Sequence, residues 1–511
     1  TLTAAQAKKA GLVDRVVEER QLQQALRAAF AGRIEQRGAG LKGKLLATTA
    51  ARRLEARQMR AKSAQKARPE HYPAPGALID LWEEEGGDPV AMRRAEMKSF
   101  AQLLTSPTAR GLLRVFFLRE KLKKSAGAGD RTIGQVHVIG AGAMGGDIAG
   151  WCAIQGLRTT LYDRDGAAVA AAVRRTADVC RARHLDAAET REVLDRLIPD
   201  LRNQGIARAD LVIEAVPEKI EIKREVYREV EPLLKPGALL ATNTSSIPLE
   251  ELRSVLSDPG RFVGLHFFNP VARMQLVEVV EQDAATAPAL AAARTFVGQI
   301  DRLPVAVASA PGFLVNRVLT PYLMEAIVLL DEGVAAETID RAAEDFGMPM
   351  GPVELADQVG LDICLAVAEM LQKRLDRPLA PIPPWFREQV EQGKLGRKSG
   401  EGFYRWKEGR PQKKEKAAAG DDDLRDRLLL PLLNAAMACL REGVVADAEL
   451  LDGAMVFGTG FAPFRGGPFY YARQRGFVEI AGRLEALAAS HGERFTPDPG
   501  WAREPGRKDG S

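Results

Sequence analysis

Cysteine is scarce in this sequence: Cys152, Cys180, Cys364 and Cys439 are the whole complement of 511 residues. None stands at CxxC spacing, and each lies in an apolar or helical context. That argues against a disulfide framework or a zinc site and for a reducing, cytoplasmic compartment. Long apolar runs are missing as well. Nothing approaches the ~20 residues of a membrane-spanning helix, so no transmembrane segment is expected. The opening TLTAAQAKKAGLVDRVV lacks the basic region, apolar stretch and cleavage site of a secretory signal. It also lacks an initiating methionine, and the chain is expected to be a fragment of a longer product. Charge of one sign is barely in excess: 72 Lys and Arg stand against 68 Asp and Glu, a net of +4. That balance gives no reason to expect nucleic acid. The basic run 51-ARRLEARQMRAKSAQKAR-68 reads as the solvated face of a helix. Histidine is the last shortage. There are five, so the setting of each carries weight.

The length is too great for a single core, so several domains are expected. Residues 1–18 read as a short helix closed by Gly11, then a brief strand, LVDRVV. Residues 19–130 are helical by period. Phe100, Leu103 and Leu104 form one stripe and Leu112, Leu113, Phe116 and Phe117 another, with a new helix starting at Ser106-Pro107 between them. The small-residue stretch 125–130 reads as a linker. From Thr132 the period changes. Strands are expected at 135–139, 158–165, 210–216, 238–244, 261–268 and 275–280, with helices between most of them, which is a βαβ pattern and a mostly parallel sheet. After Pro311-Gly312 the chain turns helical. Residues 321–340 align with 431–450 at a constant offset, matching Pro321 to Pro431, Leu330 to Leu440 and Glu332-Gly333-Val334 to Glu442-Gly443-Val444. Phe346-Gly347 and Gly351-Pro352 recur as Phe457-Gly458 and Gly467-Pro468. Two related helical units are therefore expected to pack on one another, since one alone would expose an apolar face. The charged stretch 408–423 reads as their linker and 499–511 as a disordered tail.

The segment 140-GAGAMG-145 has the spacing G-x-G-x-x-G. It follows a strand and opens an apolar helix, whose first N–H groups can hold a pyrophosphate. Asp163 lies 18 residues past Gly145, at the end of the second strand. A carboxylate there accepts a ribose 2′-hydroxyl and repels a 2′-phosphate, which favours NAD over NADP. Arg164 beside it pulls the other way.

His266 sits in 264-GLHFFNP-270, inside an apolar run. A lone histidine in such a strand is more often structural, but three neighbours argue for work. Glu278, twelve residues on, lies amid Leu and Val, where a carboxylate needs a partner. Paired with one ring nitrogen, it would fix the tautomer and leave the other nitrogen basic. The segment follows a nucleotide-binding half, whose strand ends face the ligand crevice. The stretch 243-NTSS-246 brings hydroxyls and an amide to the same rim. Hydride transfer from a carbinol needs a base for the O–H proton and donors for the oxygen. His266 fits as base, Glu278 as orienter, and Ser245 with a further amide as donors.

With these residues in place, the region from Gly134 to Trp406 resembles the NAD-dependent L-3-hydroxyacyl-CoA dehydrogenases. The motifs that carry the resemblance are GAGAMG, EAVPE with Lys223 following, NTSS, GLHFFNP, LVEVV, PGFLVNR and GRKSGEGFY. The resemblance implies a Rossmann-type NAD-binding domain at 131–310, then an all-α domain of two repeats at 311–408 and 423–498. It implies that Ser245 binds the substrate 3-oxygen, that His266 is the base with Glu278 as partner, and that Asn316 supplies the second amide. Gly140, Gly142, Ala143, Met144, Gly145, Asp163, Glu218, Lys223, Asn243 and Asn269 would line the NAD site.

The flanks resemble the multifunctional α-subunit of the fatty-acid β-oxidation complex, in which a crotonase-type hydratase domain precedes the dehydrogenase. Residues 1–18 would be the end of that domain and 19–130 the connecting helices. Its oxyanion-hole glycines and catalytic glutamates have no counterpart here, so hydratase and isomerase activity are expected to be absent. The implied partners are an acyl-CoA substrate, a thiolase subunit and a second copy in a homodimer. The competing reading is a non-catalytic scaffold of such a complex; the intact Ser245, His266, Glu278 and Asn316 set argues against it. The second repeat has Asp426-Arg427 where the first has Asn316-Arg317, so only the first is expected to contribute chemistry. The stretch 394–404 is read as a capped turn rather than a CoA contact. The aromatics of 461–473 are read as helix packing rather than base stacking. His71, His137, His184 and His491 receive no role.

Overall fold

The computed structural model describes residues 2–34, 48–127, 132–414 and 420–502. The chain divides into two compact units, Thr1–Ala109 and Arg110–Ser511.

The first unit is helical. Thr49–Ala64, Pro73–Glu85 and Pro89–Leu104 pack as successive neighbours. Pro73 and Pro89 each open a helix at the turn where a missing N–H costs nothing, and the Asp88 carboxylate caps the N–H groups of Val90 and Ala91. The basic run forms the first of these helices with most of its face solvated, although Arg52 is buried and donates to the Glu83 carbonyl. A short helix, Ala4–Lys9, ends before Gly11 at φ +74° as expected. The expected LVDRVV strand is not formed. Its residues are without regular structure and mostly exposed, because three valines and a leucine with no ladder partner cannot hold a strand in water.

The second unit is built on an eight-stranded sheet: β1 Gln135–Ile139, β2 Arg158–Tyr162, β3 Leu197–Pro199, β4 Leu211–Glu214, β5 Leu239–Thr242, β6 Phe262–Phe267, β7 Leu276–Glu281 and β8 Leu303–Ala308. The order is β3-β2-β1-β4-β5-β6-β7-β8. Strands β1 to β6 pair in parallel, β7 runs antiparallel to β6, and β8 is parallel to β7. The first six strands have the doubly wound order of dinucleotide-binding sheets. Its reversal between β1 and β4 opens a crevice at the carboxyl ends of those strands. The expected strands are present: β1 at its expected bounds, β7 shifted by one residue, and the other four with trimmed ends. β3 and β8 are additions: β3 is three residues ending in proline, and LPVAVA lies hard against the helical part.

The helical part repeats a four-helix unit. Val315–Asp331, Ala336–Phe346, Pro352–Val359 and Leu361–Arg374 are followed, in the same order, by Asp422–Arg441, Ala448–Thr459, Pro468–Arg475 and Phe477–His491. The recurring Gly-Pro has a packing reason. A Cβ on Gly351 would lie 2.2 Å from Asp340 Cα, and one on Gly467 would lie 2.4 Å from Asp452 Cβ. Only glycine lets each aspartate reach the next helix, where Asp340 accepts from Val353 N–H and Asp452 from Phe469 N–H. The two long helices pack against each other with reciprocal ion pairs. Arg317 meets Glu442, and Arg427 meets Glu332 and the buried Glu325.

Helix Pro107–Ser125 buries Leu118 and Leu122, and its Arg114 and Lys121 pair with Asp452 and Asp447 of the second repeat. The Leu112, Leu113, Phe116 and Phe117 stripe stays exposed. The expectations for one linker and for the tail are corrected in part. Within 408–423, Arg410–Pro411 pairs with Trp406–Lys407, and Lys413 docks on Asp340 and Glu354; residues 415–419 lie outside the described residues. Within the expected disordered tail, Pro499–Ala502 forms a 3-10 turn that buries Trp501, whose indole donates to Asn434. Residues 503–511 lie outside the description, as do 128–130 of the first linker.

Candidate active site

The three loop glycines answer to three different constraints. Gly140 has φ +100°, and a Cβ there would meet the Ala215 carbonyl at 2.5 Å. A Cβ on Gly145 would fall 1.9 Å from the Gly140 carbonyl oxygen. Gly142 has no atom within 4 Å of its Cβ position, so there the backbone faces open space that a ligand can approach. The helix that follows, Ala143–Ile154, starts with no side-chain cap, which leaves its first N–H groups and dipole for an anion. Ala143 is exposed and Met144 half-buried beside it. Asp163, just past β2, accepts from Ala141 N–H at 2.6 Å and from Asp165 N–H at 2.9 Å. Its carboxylate is therefore locked against the glycine loop. These features fit a dinucleotide.

The rim beyond β4 is organised by a residue to which sequence reading gave no role. Glu214 ends β4 fully buried. One of its oxygens accepts from Lys223 Nζ at 2.8 Å, and the other from Tyr227 at 2.6 Å and Thr242 at 2.8 Å. Lys223, expected to line the NAD site, is itself buried in this network and reaches Glu218 at 3.2 Å. Glu218 accepts from Thr244 Oγ1 at 2.5 Å, Ser245 N–H at 2.9 Å and Ser246 N–H at 3.2 Å, which fastens the NTSS loop. Burial alone would raise the Glu218 carboxyl. The Lys223 ammonium and the Thr244 and Ser245 hydrogen bonds outweigh it and hold the group below the ordinary carboxylate range. The available signal was the first Glu of EAVPE, a carboxylate closing an apolar strand.

Asn243 closes β5. Its side-chain oxygen accepts from Phe267 N–H at 2.9 Å, and its own N–H donates to the Glu214 carbonyl. It thereby fixes the end of β6. On that strand His266 stands opposite Glu278 of β7 in the antiparallel register. Nδ1 lies 2.6 Å from Glu278 Oε2, and both side chains are buried. A carboxylate can only accept, so Nδ1 carries the proton and Nε2 keeps a free lone pair. The rings of Phe268 and Phe313 flank the imidazole at 4.5 and 5.8 Å between centroids. The next peptide, Asn269-Pro270, is cis.

Glu278 has a second task that no sequence pattern announced. Its other oxygen accepts from Leu314 N–H at 3.1 Å and Val315 N–H at 2.9 Å. Those groups open the helix that carries Asn316, and Asn316 Nδ2 donates to the Ser245 carbonyl at 3.1 Å. The turn before the helix holds Phe313 at φ +49°, a conformation that costs a bulky residue on the order of 1–3 kcal/mol and persists only where surroundings enforce it. His266–Glu278 and Ser245–Asn316 are thus two directly bonded pairs, linked through the Leu314 and Val315 N–H groups at the start of the Asn316 helix. The equivalent of Asn316 in the second repeat, Asp426, is taken up by Arg475 and Arg483, away from this cluster.

Residues 135–310 match the family model described as 3-hydroxyacyl-CoA dehydrogenase, NAD binding domain, and residues 312–406 match its C-terminal domain. This chain belongs to the 3-hydroxyacyl-CoA dehydrogenase family. It is 29% identical to 3-hydroxybutyryl-CoA dehydrogenase of Escherichia coli K12, over 73% of this chain and 98% of that one, with a TM-score of 0.64. It is 35% identical to (S)-3-hydroxybutyryl-CoA dehydrogenase of Ralstonia eutropha, over 54% of this chain and 100% of that one, with a TM-score of 0.51. It is 25% identical to the dehydrogenase part of multifunctional enzyme 1 of C. elegans, over 76% and 96%, with a TM-score of 0.56. As a member of this family it is an NAD-dependent oxidoreductase, with NAD as its cofactor. Among the described residues, no helix is long and apolar enough to cross a membrane.

The remaining motifs have packing roles. Phe461 and Tyr471 stack edge-on against Phe346, with Arg465 over the same ring. The 394–404 turn is tied down by Asp357, which accepts from the N–H groups of Phe403 and Tyr404.

Proposed function

We propose that this dehydrogenase oxidises (3S)-3-hydroxyacyl-CoA to 3-ketoacyl-CoA, reversibly, in fatty-acid β-oxidation, with His266 as general base. The observation that carries the reading is the 2.6 Å contact of His266 Nδ1 with Glu278 at the end of β6. In the oxidation, the C3 carbinol loses a proton from oxygen and a hydride from carbon. His266 Nε2 takes the proton, and Glu278 stabilises the imidazolium that results. NAD, held at the glycine loop and Asp163, would supply the hydride acceptor. Negative charge grows on the oxygen as its proton leaves. The Ser245 hydroxyl and the Asn316 N–H not bonded to Ser245 are the donors for it. Phe268 and Phe313 shield the imidazole from water.

In the same reading Gly140, Gly142, Ala143, Met144 and Gly145 hold the pyrophosphate and Asp163 the ribose. Glu218, Lys223, Asn243 and Asn269 shape the nicotinamide side. Residues 131–310 form the NAD-binding domain, 311–408 and 423–498 the two repeats, and 19–130 the connection to a hydratase-type remnant at 1–18. No hydratase or isomerase activity is assigned to this chain. A cytoplasmic setting and a thiolase partner belong to the same reading.

The test is acetoacetyl-CoA-dependent oxidation of NADH, followed by absorbance. The parent chain is expected to turn over, and His266→Ala to lose ~10²–10⁴-fold, the usual contribution of a positioned base. No turnover by the parent would favour the scaffold reading. Retention of most activity by His266→Ala would remove the base from the mechanism.

A further inference from the structure

A cavity of about 610 Å³ is lined by Arg119, Lys123, Arg183, Arg273 and Arg302, with Asp301 as the one carboxylate among the described lining residues. None of these residues belongs to the set assigned to NAD or to the 3-hydroxyacyl group. Arg302 is the centre of the argument. It is only 6% exposed. Its guanidinium lies 3.6 Å from the Trp151 ring centroid and donates to two neutral carbonyls, Asp301 O at 2.8 Å and Val271 O at 2.9 Å. Its Nε is buried with no acceptor. Arg183 lies over the same indole at 5.0 Å. Among the described residues no carboxylate forms an ion pair with Lys123, Arg183, Arg273 or Arg302, and Arg119 comes only to 4.0 Å from Glu120.

A buried cation without a counter-charge is expensive to keep. Burial already pulls the Arg302 guanidinium down to about 10. Trp151 and two carbonyls orient the group but do not neutralise it. Five cations against one carboxylate among the described lining residues suit a multiply charged anion, and arginine forks match phosphate oxygens. The volume is that of a small-molecule site rather than of one ion.

We propose that this cavity is a binding site for a small diphosphate-bearing anion, with Arg302 as the buried anchor and Arg183 and Arg273 as the solvent-side contacts. The site adjoins the catalytic strands, because the Val271 carbonyl that Arg302 holds lies on the turn from β6 to β7.

The test is calorimetric titration of the full chain with inorganic pyrophosphate, and separately with ADP, in saturating NADH so that the glycine loop is filled. Wild type is expected to bind one equivalent. Arg183→Gln/Arg273→Gln, with both changes on exposed side chains, is expected to bind about tenfold more weakly or worse while keeping its NADH oxidation. Arg302→Met is expected to abolish binding, and the exposed pair keeps the test valid if that variant does not fold. Tighter binding of ADP than of pyrophosphate would assign the site to a nucleotide, and equal binding to the diphosphate alone. Absence of binding by wild type, or equal affinity in the double variant, would overturn the proposal.

Discussion

Replacing Glu278 by glutamine removes one charge and almost no volume, and the geometry says what must then fail. The native carboxylate accepts three N–H groups: His266 Nδ1 on one oxygen, and Leu314 and Val315 on the other. A glutamine has one acceptor oxygen and one NH₂. If the oxygen stays with the two backbone donors, the NH₂ faces Nδ1, which must then accept. The ring proton moves to Nε2, and the nitrogen aimed at the substrate can no longer take a proton. If the amide flips, His266 keeps its tautomer, but the NH₂ opposes two buried N–H groups and the Asn316 helix loses its anchor. Leaving a buried donor unsatisfied costs about 1–3 kcal/mol; the first state strands only the second N–H of the glutamine amide, whereas the flipped state strands the Leu314 and Val315 N–H groups. The first state should dominate, since it strands fewer donors. Glu278→Gln should therefore lose ~10²–10⁴-fold in kcat for acetoacetyl-CoA reduction. NADH affinity, read by fluorescence titration, should change little, because neither the glycine loop nor Asp163 touches Glu278. Denaturant unfolding should show a loss of about 1–3 kcal/mol. If Glu278→Gln loses the stability but keeps kcat within a factor of a few, the carboxylate only supports the fold and the reasoning about the tautomer is wrong.

Three further perturbations separate the remaining parts. Gly142→Ala should leave thermal stability intact and raise KM for NADH, because its Cβ enters open space. Gly145→Ala should lower Tm, because its Cβ would meet the Gly140 carbonyl at 1.9 Å; equal Tm values for the two variants would contradict the division of roles. Asp163→Ala should cut the preference for NADH over NADPH by about ten- to a hundredfold, the worth of one charge-assisted hydrogen bond, measured as the ratio of kcat/KM. Arg427→Ala should destabilise the chain by about 3 kcal/mol or somewhat less in denaturant unfolding. It strands the buried Glu325, although Arg494 still reaches that carboxylate and Glu332 is partly solvated.

Legibility in the sequence followed the range of the forces involved. Strands with apolar runs and polar ends were readable because burial alone dictates them, whereas β3, with three residues, is too short to show a repeating pattern. The LVDRVV segment shows the converse: apolar composition without a partner strand does not make a ladder. The His266–Glu278 pair was readable because a carboxylate amid Leu and Val requires a partner, and the next strand supplied it. Glu214 posed the same problem at the end of β4. Its partners Lys223 and Tyr227 stand four apart on one helix face, a spacing that was there to be read. The second task of Glu278 was not readable, since nothing local links it to Leu314 and Val315. The docking of Lys413 and the burial of Trp501 are likewise long-range, and both fall where charge and proline suggested solvent.

The doubled helical unit bears on chemistry through a single helix. Val315–Asp331 carries Asn316 in its first turn, and Glu278 holds that turn from the sheet side. The next residue, Arg317, is buried and bound to Glu442 of the second repeat. The Ala308 N–H at the end of β8 donates to the Val444 carbonyl, two residues on. The second repeat therefore grips both the helix that carries Asn316 and the end of β8. A chain with one repeat would leave this helix with an unpartnered face and no such clamp. The two copies are related by sequence but unequal in charge at the decisive position, where Asn316 has become Asp426 and is neutralised by Arg475 and Arg483. An unpaired carboxylate beside a developing oxyanion would oppose the reaction, so the acidic copy works only where arginines absorb its charge. On the proposed mechanism, Asn316 of the first repeat donates to the substrate while the second repeat holds its helix still.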